Sequence, residues 1–441
     1  METSFKIKPN PWALVPFLVF AVFYVGASVA VNDFYAIPMP IAFLIASATA
    51  LMFSRQRSFA DRVDTYALGM GDANIMIMCL VFILAGAFAS VAKGTGAVDA
   101  AVLIAQRLVP SSLMLAGVFA ISCLISLAIG TSCGTIAAVT PIALGFSSGL
   151  GLSPAMLVGA VVGGSMFGDN LSMISDTTIA ATRTQGIAMR EKFIANLWIA
   201  APAAIGCLVI YCLIGIFGGQ VEVTAVAVTW QHLLLILPYV LILVLALFGL
   251  NVMTLLFFGV ALAAVIGVAL GKVDVMGALA LMKGGMIDMS ETLIVALLAG
   301  GMFRTVYANG GIQWLTDRIS LLVRGPRTCE FGVFLLVSMV NFFTANNTVA
   351  IVIAGPIAKE CSVRFGAVPA RIASVLDTAS CIVQGLIPYG AQILIALGVA
   401  KAAGVTCATS ELIKCLYYQP LLAIAVIVTI LLPRRFGASR R

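Results

Sequence analysis

Long apolar runs alternate along the chain with short polar or glycine-rich interruptions, and those runs set the size of the predicted elements. Trp12–Val31, Pro38–Phe53, Ile75–Val91, Leu197–Phe217, Leu233–Leu250, Thr254–Leu270, Thr292–Phe303 and Leu416–Leu432 are mostly long enough to cross a hydrocarbon core of roughly 30 Å as helices. Val98–Val109 and Gln313–Val323 read instead as amphipathic helices lying at the membrane interface. The pattern predicts an all-α polytopic membrane protein. Lys6, Lys8 and Ala27–Ala30 imitate a cleavable secretory signal, but the apolar stretch between them is too long for one and has a partner later in the chain.

That partner lies 215 positions on, and the same shift aligns most of the chain with itself. Gly117, Val118 and Phe119 fall on Gly332, Val333 and Phe334; Pro141, Ile142 and Ala143 fall on Pro356, Ile357 and Ala358; Pro154 and Ala155 fall on Pro369 and Ala370. Phe88, Val91 and Gly96 meet Phe303, Val306 and Gly311. Shared Pro and Gly at one offset divide the chain into an N-terminal repeat, residues 1–220, and a C-terminal repeat, residues 221–441.

Positive charges alternate between the repeats as opposite orientations require. Arg55, Arg57 and Arg62 mark a cytoplasmic loop, whereas the matching Gly271–Asp274 segment carries only Lys272. Lys93 and Arg107 are outnumbered by Arg304, Arg318, Arg324 and Arg327 in the mate. Arg183, Arg190 and Lys192 precede a crossing that ends in Gln220–Trp230, a stretch without positive charge, and Arg434, Arg435, Arg440 and Arg441 return to the cytoplasm. Both termini inside, with an odd number of crossings per half, satisfies these loops in a cytoplasmic (inner) membrane. Inverted repeats of this kind are built around discontinuous helices near the midplane.

Four discontinuities are visible. Thr131-Ser132-Cys133-Gly134-Thr135 and Gly168–Thr178 interrupt the first half; Asn346-Asn347-Thr348 and Val383–Gln392 interrupt the second. Lys359, Arg364 and Arg371 follow Asn346–Thr348 too closely for two full spans, so each half is expected to hold five crossings and one re-entrant hairpin, with tips at Thr131, Ser132 and Thr135 and at Asn346, Asn347 and Thr348. Irregular backbone at depth is tolerated only where it lines a polar cavity, so tips and breaks should converge on one site.

Composition sharpens this picture. The chain is 62% hydrophobic and 10% charged, with no long polar stretch, no GxxxxGK phosphate loop and no CxxC or HExxH pair, so the energy source expected is an ion gradient and no cofactor is expected. Ten scattered cysteines read as small apolar residues, and the net charge of +7 as an orientation signal rather than a nucleic-acid footprint. Against that background GDNLSMISDTT, residues 168–178, is a candidate ion site. Carboxylates at bilayer depth persist where they bind a cation, relay a proton or face water. Asp169 and Asp176, with Asn170, Ser172, Ser175, Thr177 and Thr178, offer an oxygen-rich, sulfur-free shell suited to a hard cation such as Na⁺, and the one histidine, His232, lies elsewhere. Helix capping is the structural alternative for both acids.

A carboxylate removed from water favours whatever neutralises it, so a proton and a cation compete for the same group. Secondary candidates are Asp377, Gln384, Tyr389 and Gln392 around the second break and Asp288 and Glu291 at the start of the Thr292–Phe303 run. The breaks themselves contain no Lys or Arg, so an anionic cargo would have to rely on helix N-termini.

GDNLSMISDTT resembles the GDxxSPxSDTT signature of the NhaC family of Na⁺/H⁺ antiporters, and TSCGT, residues 131–135, resembles its TSWGT element. The second-half NNT and GLIPYGAQ elements agree with the duplicated plan of the wider ion transporter superfamily. The resemblance implies a fold of ten crossings and two hairpins, Na⁺/H⁺ exchange, Na⁺ held at Asp169 and Asp176, and a homodimer. Met173 stands where the signature has Pro and Cys133 where it has Trp. Relatives with this signature include exchangers of organic acids, so a malate/lactate-like carboxylate or an amino acid is the alternative cargo. It would use Ser132, Asn346, Asn347, Tyr389 and Gln392. A passive channel or scaffold is disfavoured, because a scaffold has no reason to hold carboxylates at depth.

Overall fold

A computed structural model describes residues 8–31, 38–56, 58–108, 110–173, 175–217, 228–248, 250–321 and 323–431, and every regular element among them is helical. Seven helical runs among the described residues are long and apolar enough to span a bilayer, the longest unbroken one being Met189–Phe217. Shorter apolar helices, among them Met39–Met52, Ala391–Ala402 and Tyr418–Leu431, accompany them. The protein is an integral membrane protein. Lys6, Arg57, positions 220–227, Arg434, Arg435, Arg440 and Arg441, all named in the sequence reading above, lie outside the described residues.

Helix boundaries recur down the chain at the spacing of the sequence similarity. Under that shift Ser132–Leu150 coincides with Asn347–Phe365 at both ends, and each helix contains an internal proline, Pro141 and Pro356. The helix before each ends in a left-handed residue, Gly130 at φ +75° and Ala345 at φ +49°. Ala345 is the one described non-glycine residue with positive φ, a conformation that strains an L side chain. Pro154–Leu171 is matched by Pro369–Gln384, and Asp176–Gln185 by Ala391–Ala402. Proline opens both Pro154–Leu171 and Pro369–Gln384, where its missing N–H costs nothing.

Two helices were not foreseen as separate elements. Phe59–Met70 packs on Ser290–Ala308, and its counterpart Val275–Asp288 packs on Ala73–Gly94, so each half lends a short helix to a long one of the other. Glycine makes both contacts close. A Cβ on Gly86 or Gly285 would run into the other's backbone, and one on Gly301 would run into the Tyr66 ring. Arg62, expected in a loop, belongs to Phe59–Met70, where its guanidinium donates to the carbonyls of Gln56 (3.0 Å) and Leu51 (3.1 Å). The predicted amphipathic segments form the helices Ala97–Leu108 and Gly311–Ser320. Gly159 and Gly164 admit the backbones of Cys415 and Phe119 respectively, as close packing requires.

Candidate cation site

The first break is narrower than the polar stretch that announces it. The helix Pro154–Leu171 runs through Asp169 and Asn170, and Asp176 already opens the next helix, leaving 172–175 between them. Ser175 ends the interruption by capping: its Oγ accepts from the Thr177 N–H at 3.3 Å. Thr178 Oγ1 donates back across the break to the Ser172 carbonyl at 2.7 Å. Gly168 lies so close to the backbone around Ser126 and Leu127 that no side chain fits there.

The second break, 385–390, separates Pro369–Gln384 from Ala391–Ala402. Gln384 Nε2 donates to the Ala345 carbonyl at the second tip and to Gln392 Oε1, both at 2.9 Å. Gln392 Nε2 in turn donates to Ser132 Oγ at 2.9 Å, so the second break is tied to the first tip.

Asp169 stands at the end of that chain of bonds. Ser132 Oγ donates to its Oδ2 at 2.7 Å and Ser175 Oγ to its Oδ1 at 2.5 Å, with the Thr177 hydroxyl 2.8 Å beyond Ser175. Each carboxylate oxygen thus receives one hydroxyl and keeps acceptor capacity for a further partner. Asp169 is 5% exposed, and that sliver opens on a cavity of about 600 Å³ lined also by Thr131, Ser132, Asp176, Asn347, Thr348 and Gln392. No Lys, Arg or His lines it among the described residues. Hydroxyl, amide and carboxylate oxygens around one desolvated negative charge suit a hard monovalent cation or a proton.

A second, fully enclosed cluster lies one residue further along the same helix. Lys192, on Met189–Phe217, is completely buried and forms an ion pair with Asp377 Oδ2. Its ammonium also donates to the Asn170 carbonyl at 2.5 Å and to Thr178 Oγ1 at 2.7 Å. Asn196 Nδ2 lies 2.9 Å from the Asn170 carbonyl and 3.3 Å from Asp377 Oδ2, and its Oδ1 accepts from Ser374 and Thr378. The Asn170 carbonyl, in the last turn of its helix, therefore accepts from a lysine and an amide of a neighbouring helix.

A model of the Na⁺/H⁺ antiporter family matches residues 8–218 and again residues 217–431, one match to each half. The chain belongs to this family. Its similarity to individual members is low in identity and long in extent. The malate-2H⁺/Na⁺-lactate antiporter of Bacillus subtilis is 20% identical over 81% of this chain and 82% of that protein. An uncharacterized Na⁺/H⁺ antiporter of Haemophilus influenzae is 23% identical over 91% and 93%. NhaC of Alkalihalophilus pseudofirmus is 22% identical over 80% and 82%.

Within this antiporter-family chain the residues singled out from sequence separate into distinct environments. Asp169, Ser132, Ser175, Thr177, Gln384 and Gln392 are drawn into one bonded cluster. Asp176 is not: it is exposed on the cavity wall, and among the described residues no hydrogen bond to its carboxylate is found. Its place in the first turn of a helix is where an acid is stabilised without any ligand. Asn170 and Ser172 face away from the cavity, Ser172 Oγ donating to the Leu127 carbonyl at 2.9 Å. Thr135 bonds back to the Thr131 carbonyl, and Asn346 caps its helix at the Val349 N–H, both at 3.0 Å.

Tyr389 is not among the cavity-lining residues. Its hydroxyl donates to the Phe342 carbonyl at 2.5 Å and its ring packs among Phe20, Phe43 and Phe342, so an apolar cluster has claimed it. Asp288 and Glu291 line a separate cavity of about 710 Å³ together with Lys401 and Glu411. Lys192 is the residue that sequence reasoning misplaced, having taken it as a loop charge. The signal lay in its register: Lys192, Asn196, Ala200, Ala203, Cys207 and Tyr211 form one buried helical stripe, and two polar residues continuing a stripe of small ones point inward.

Proposed function

We propose that this chain exchanges Na⁺ for H⁺ across the cytoplasmic membrane by alternating access, with cation and proton competing for Asp169. The observation that carries the reading is a buried carboxylate, held by one hydroxyl from each of two helix starts, that opens on a cavity with hydroxyl, amide and carboxylate oxygens in its wall and no basic side chain among the described residues. Either Na⁺ or H⁺ cancels the charge, and only a neutralised carboxylate crosses a low-dielectric barrier cheaply. Serine hydroxyls that donate to the bare carboxylate can rotate to present lone pairs to a cation beside it.

The reading includes two inverted repeats, each with five crossings and one re-entrant hairpin, and both termini in the cytoplasm. It is supported by helix boundaries that repeat at the offset of the sequence similarity and by the alternation of basic residues. Alternating access is supported by the two cavities sharing a wall: Ala391 and Gln392 line the first, while Leu394, Leu397, Gly398 and Lys401 of the same helix line the second. Proton flux into proteoliposomes with a trapped pH dye, driven by added Na⁺, Li⁺ or K⁺ without organic solute, tests the activity. Flux with Na⁺ that disappears in Asp169→Asn supports it; no flux under any cation overturns it.

One observation favours a second cargo, a small carboxylate carried with the cation. Ser132–Leu150 and Ala391–Ala402 start at the cavity with no side-chain cap, and Asn347 Nδ2, in a residue 9% exposed, has no partner among the described residues. Two free helix starts and a spare amide donor suit an anion, once a cation has neutralised Asp169. Na⁺-dependent proton flux that requires an added carboxylate and weakens severalfold in Asn347→Ala would mark this reading as the correct one.

A further inference from the structure

The environment of the Lys192 ammonium has the composition of a cation site. Asp377 supplies a carboxylate oxygen, Asn170 a backbone carbonyl from the last turn of its helix, and Thr178 a hydroxyl, all turned onto one point deep in the buried interior. Three oxygens use the three ammonium donors fully. Asn196 holds the cage from outside, reaching both the Asn170 carbonyl and Asp377, and Cys381 Sγ approaches the other Asp377 oxygen at 3.7 Å. Carboxylate, carbonyl and hydroxyl are hard ligands with no intrinsic preference for an ammonium over an alkali cation.

Its location matters as much as its chemistry. Asn170 follows Asp169 and Thr178 follows Thr177, so the cage is built from the residues next to those of the cavity-facing cluster, on the same two helix ends. At the repeat offset Lys192 and Asp377 correspond to Cys407 and Val162, so the pair has no counterpart elsewhere in the duplicated plan.

We propose that the Lys192 ammonium is a tethered occupant of a second cation site, and that by filling it the chain is held to one exchangeable Na⁺. The count of one rests on the Asp169 reading above. Removing the ammonium while keeping the length and apolar stem of the side chain, as in Lys192→Met, leaves an uncompensated carboxylate facing a vacated three-oxygen cage, which a small cation then neutralises. Lys192 acts in this scheme as a fixed charge that sets ion number, a positioning role distinct from binding the transported ion.

Equilibrium binding of ²²Na⁺ to the purified full-length protein, in choline-balanced detergent solution, tests it. Wild type is expected to bind one Na⁺ per chain, Lys192→Met two, and Lys192→Met/Asp377→Asn one again. Wild type and a folded Lys192→Met each binding one overturns the proposal while leaving the Asp169 reading intact. Wild type binding none with Lys192→Met binding one supports the cage and removes the Asp169 reading instead. Should Lys192→Met not survive purification in choline, the proposal expects recovery in Na⁺. Collapse in both salts, with the double variant stable in either, overturns it, because sodium would then be unable to replace the ammonium.

Discussion

At the first break Asp169 holds two hydroxyls and faces the cavity; at the second break the same helical position is Gln384, whose amide ties the second tip to Gln392. The neighbours diverge in parallel. Ser132 of the first tip corresponds to Asn347 of the second, and Thr177 to Gln392. The two halves that the family model matches keep paired helix starts and paired breaks, while their residues leave charge on one side and amides on the other. A carboxylate at both positions would set two negative charges around one cavity, and each would oppose ionisation of the other. Gln384 and Gln392 instead span the gap neutrally, so the half without charge orients the half that has it.

The largest effect that could break this comparison is at Asp169. Asp169→Asn is expected to reduce Na⁺-driven proton flux at least about a hundredfold, since it removes the carboxylate that the proposed exchange assigns to both ions. Gln384→Ala at the matching position should lower flux only severalfold. Equal losses in the two variants, measured in the same proteoliposome assay, would mean that the amide half carries the ion as directly as the acidic half.

The next effect is on stability. Asp377→Asn strands a buried ammonium and is expected to destabilise by about 3–5 kcal/mol, whereas removing both charges in Lys192→Met/Asp377→Asn should restore most of that loss. Thermal unfolding followed by size exclusion in detergent compares the two. A single variant as stable as wild type would show that the Lys192 ammonium has another counter-charge.

Ser132→Ala sharpens the comparison within the tips. It removes the bond to Asp169 Oδ2 and frees Gln392, and a hydrogen bond to a charged group is worth about 1.5–3 kcal/mol. Half-saturation for Na⁺ should rise roughly tenfold or more, in line with that energy. Asn347→Ala, its counterpart in the second tip, is expected to shift Na⁺ half-saturation less than about twofold, because its amide oxygen already accepts from the Thr348 N–H and its amide nitrogen offers a cation no lone pair. A tenfold shift in Asn347→Ala would place the cation between the tips rather than at Asp169.

Much of this was legible because the informative residues break the apolar pattern. Gly and polar residues inside hydrophobic runs marked four places where one described helix ends and the next begins, and Asp169 was evident as a carboxylate where none is cheap. The break boundaries were less legible: a polar stretch from Gly168 to Thr178 shows where helix is unfavourable, while the capping by Ser175 that confines the interruption to 172–175 depends on contacts across it. Lys192 was opaque for a related reason. Next to Arg183 and Arg190 it reads as one more cytoplasmic charge, and its counter-ion, Asp377, lies far away in the other half of the sequence. Tyr389 shows the opposite error, a polar tip read as cargo-facing although its ring had three aromatic neighbours to join.

The smallest expected effect separates Asp176 from Asp169. Both lie in the polar signature, yet Asp176 is exposed on the cavity wall in the first turn of its helix, while Asp169 is buried and hydrogen-bonded. An exposed acid acts on a cation by raising its local concentration, an effect that salt screens over a Debye length of about 10 Å at 0.1 M. The attraction between an exposed carboxylate and a nearby cation is worth about 0.2–1 kcal/mol. Asp176→Asn is therefore expected to raise Na⁺ half-saturation about two- to fivefold at low ionic strength, by that order of energy, with maximal flux unchanged. The difference from wild type should shrink when choline chloride is added. Loss of flux at saturating Na⁺ would instead make Asp176 a second ligand beside Asp169, and the cavity wall would then be part of the ion site rather than its approach.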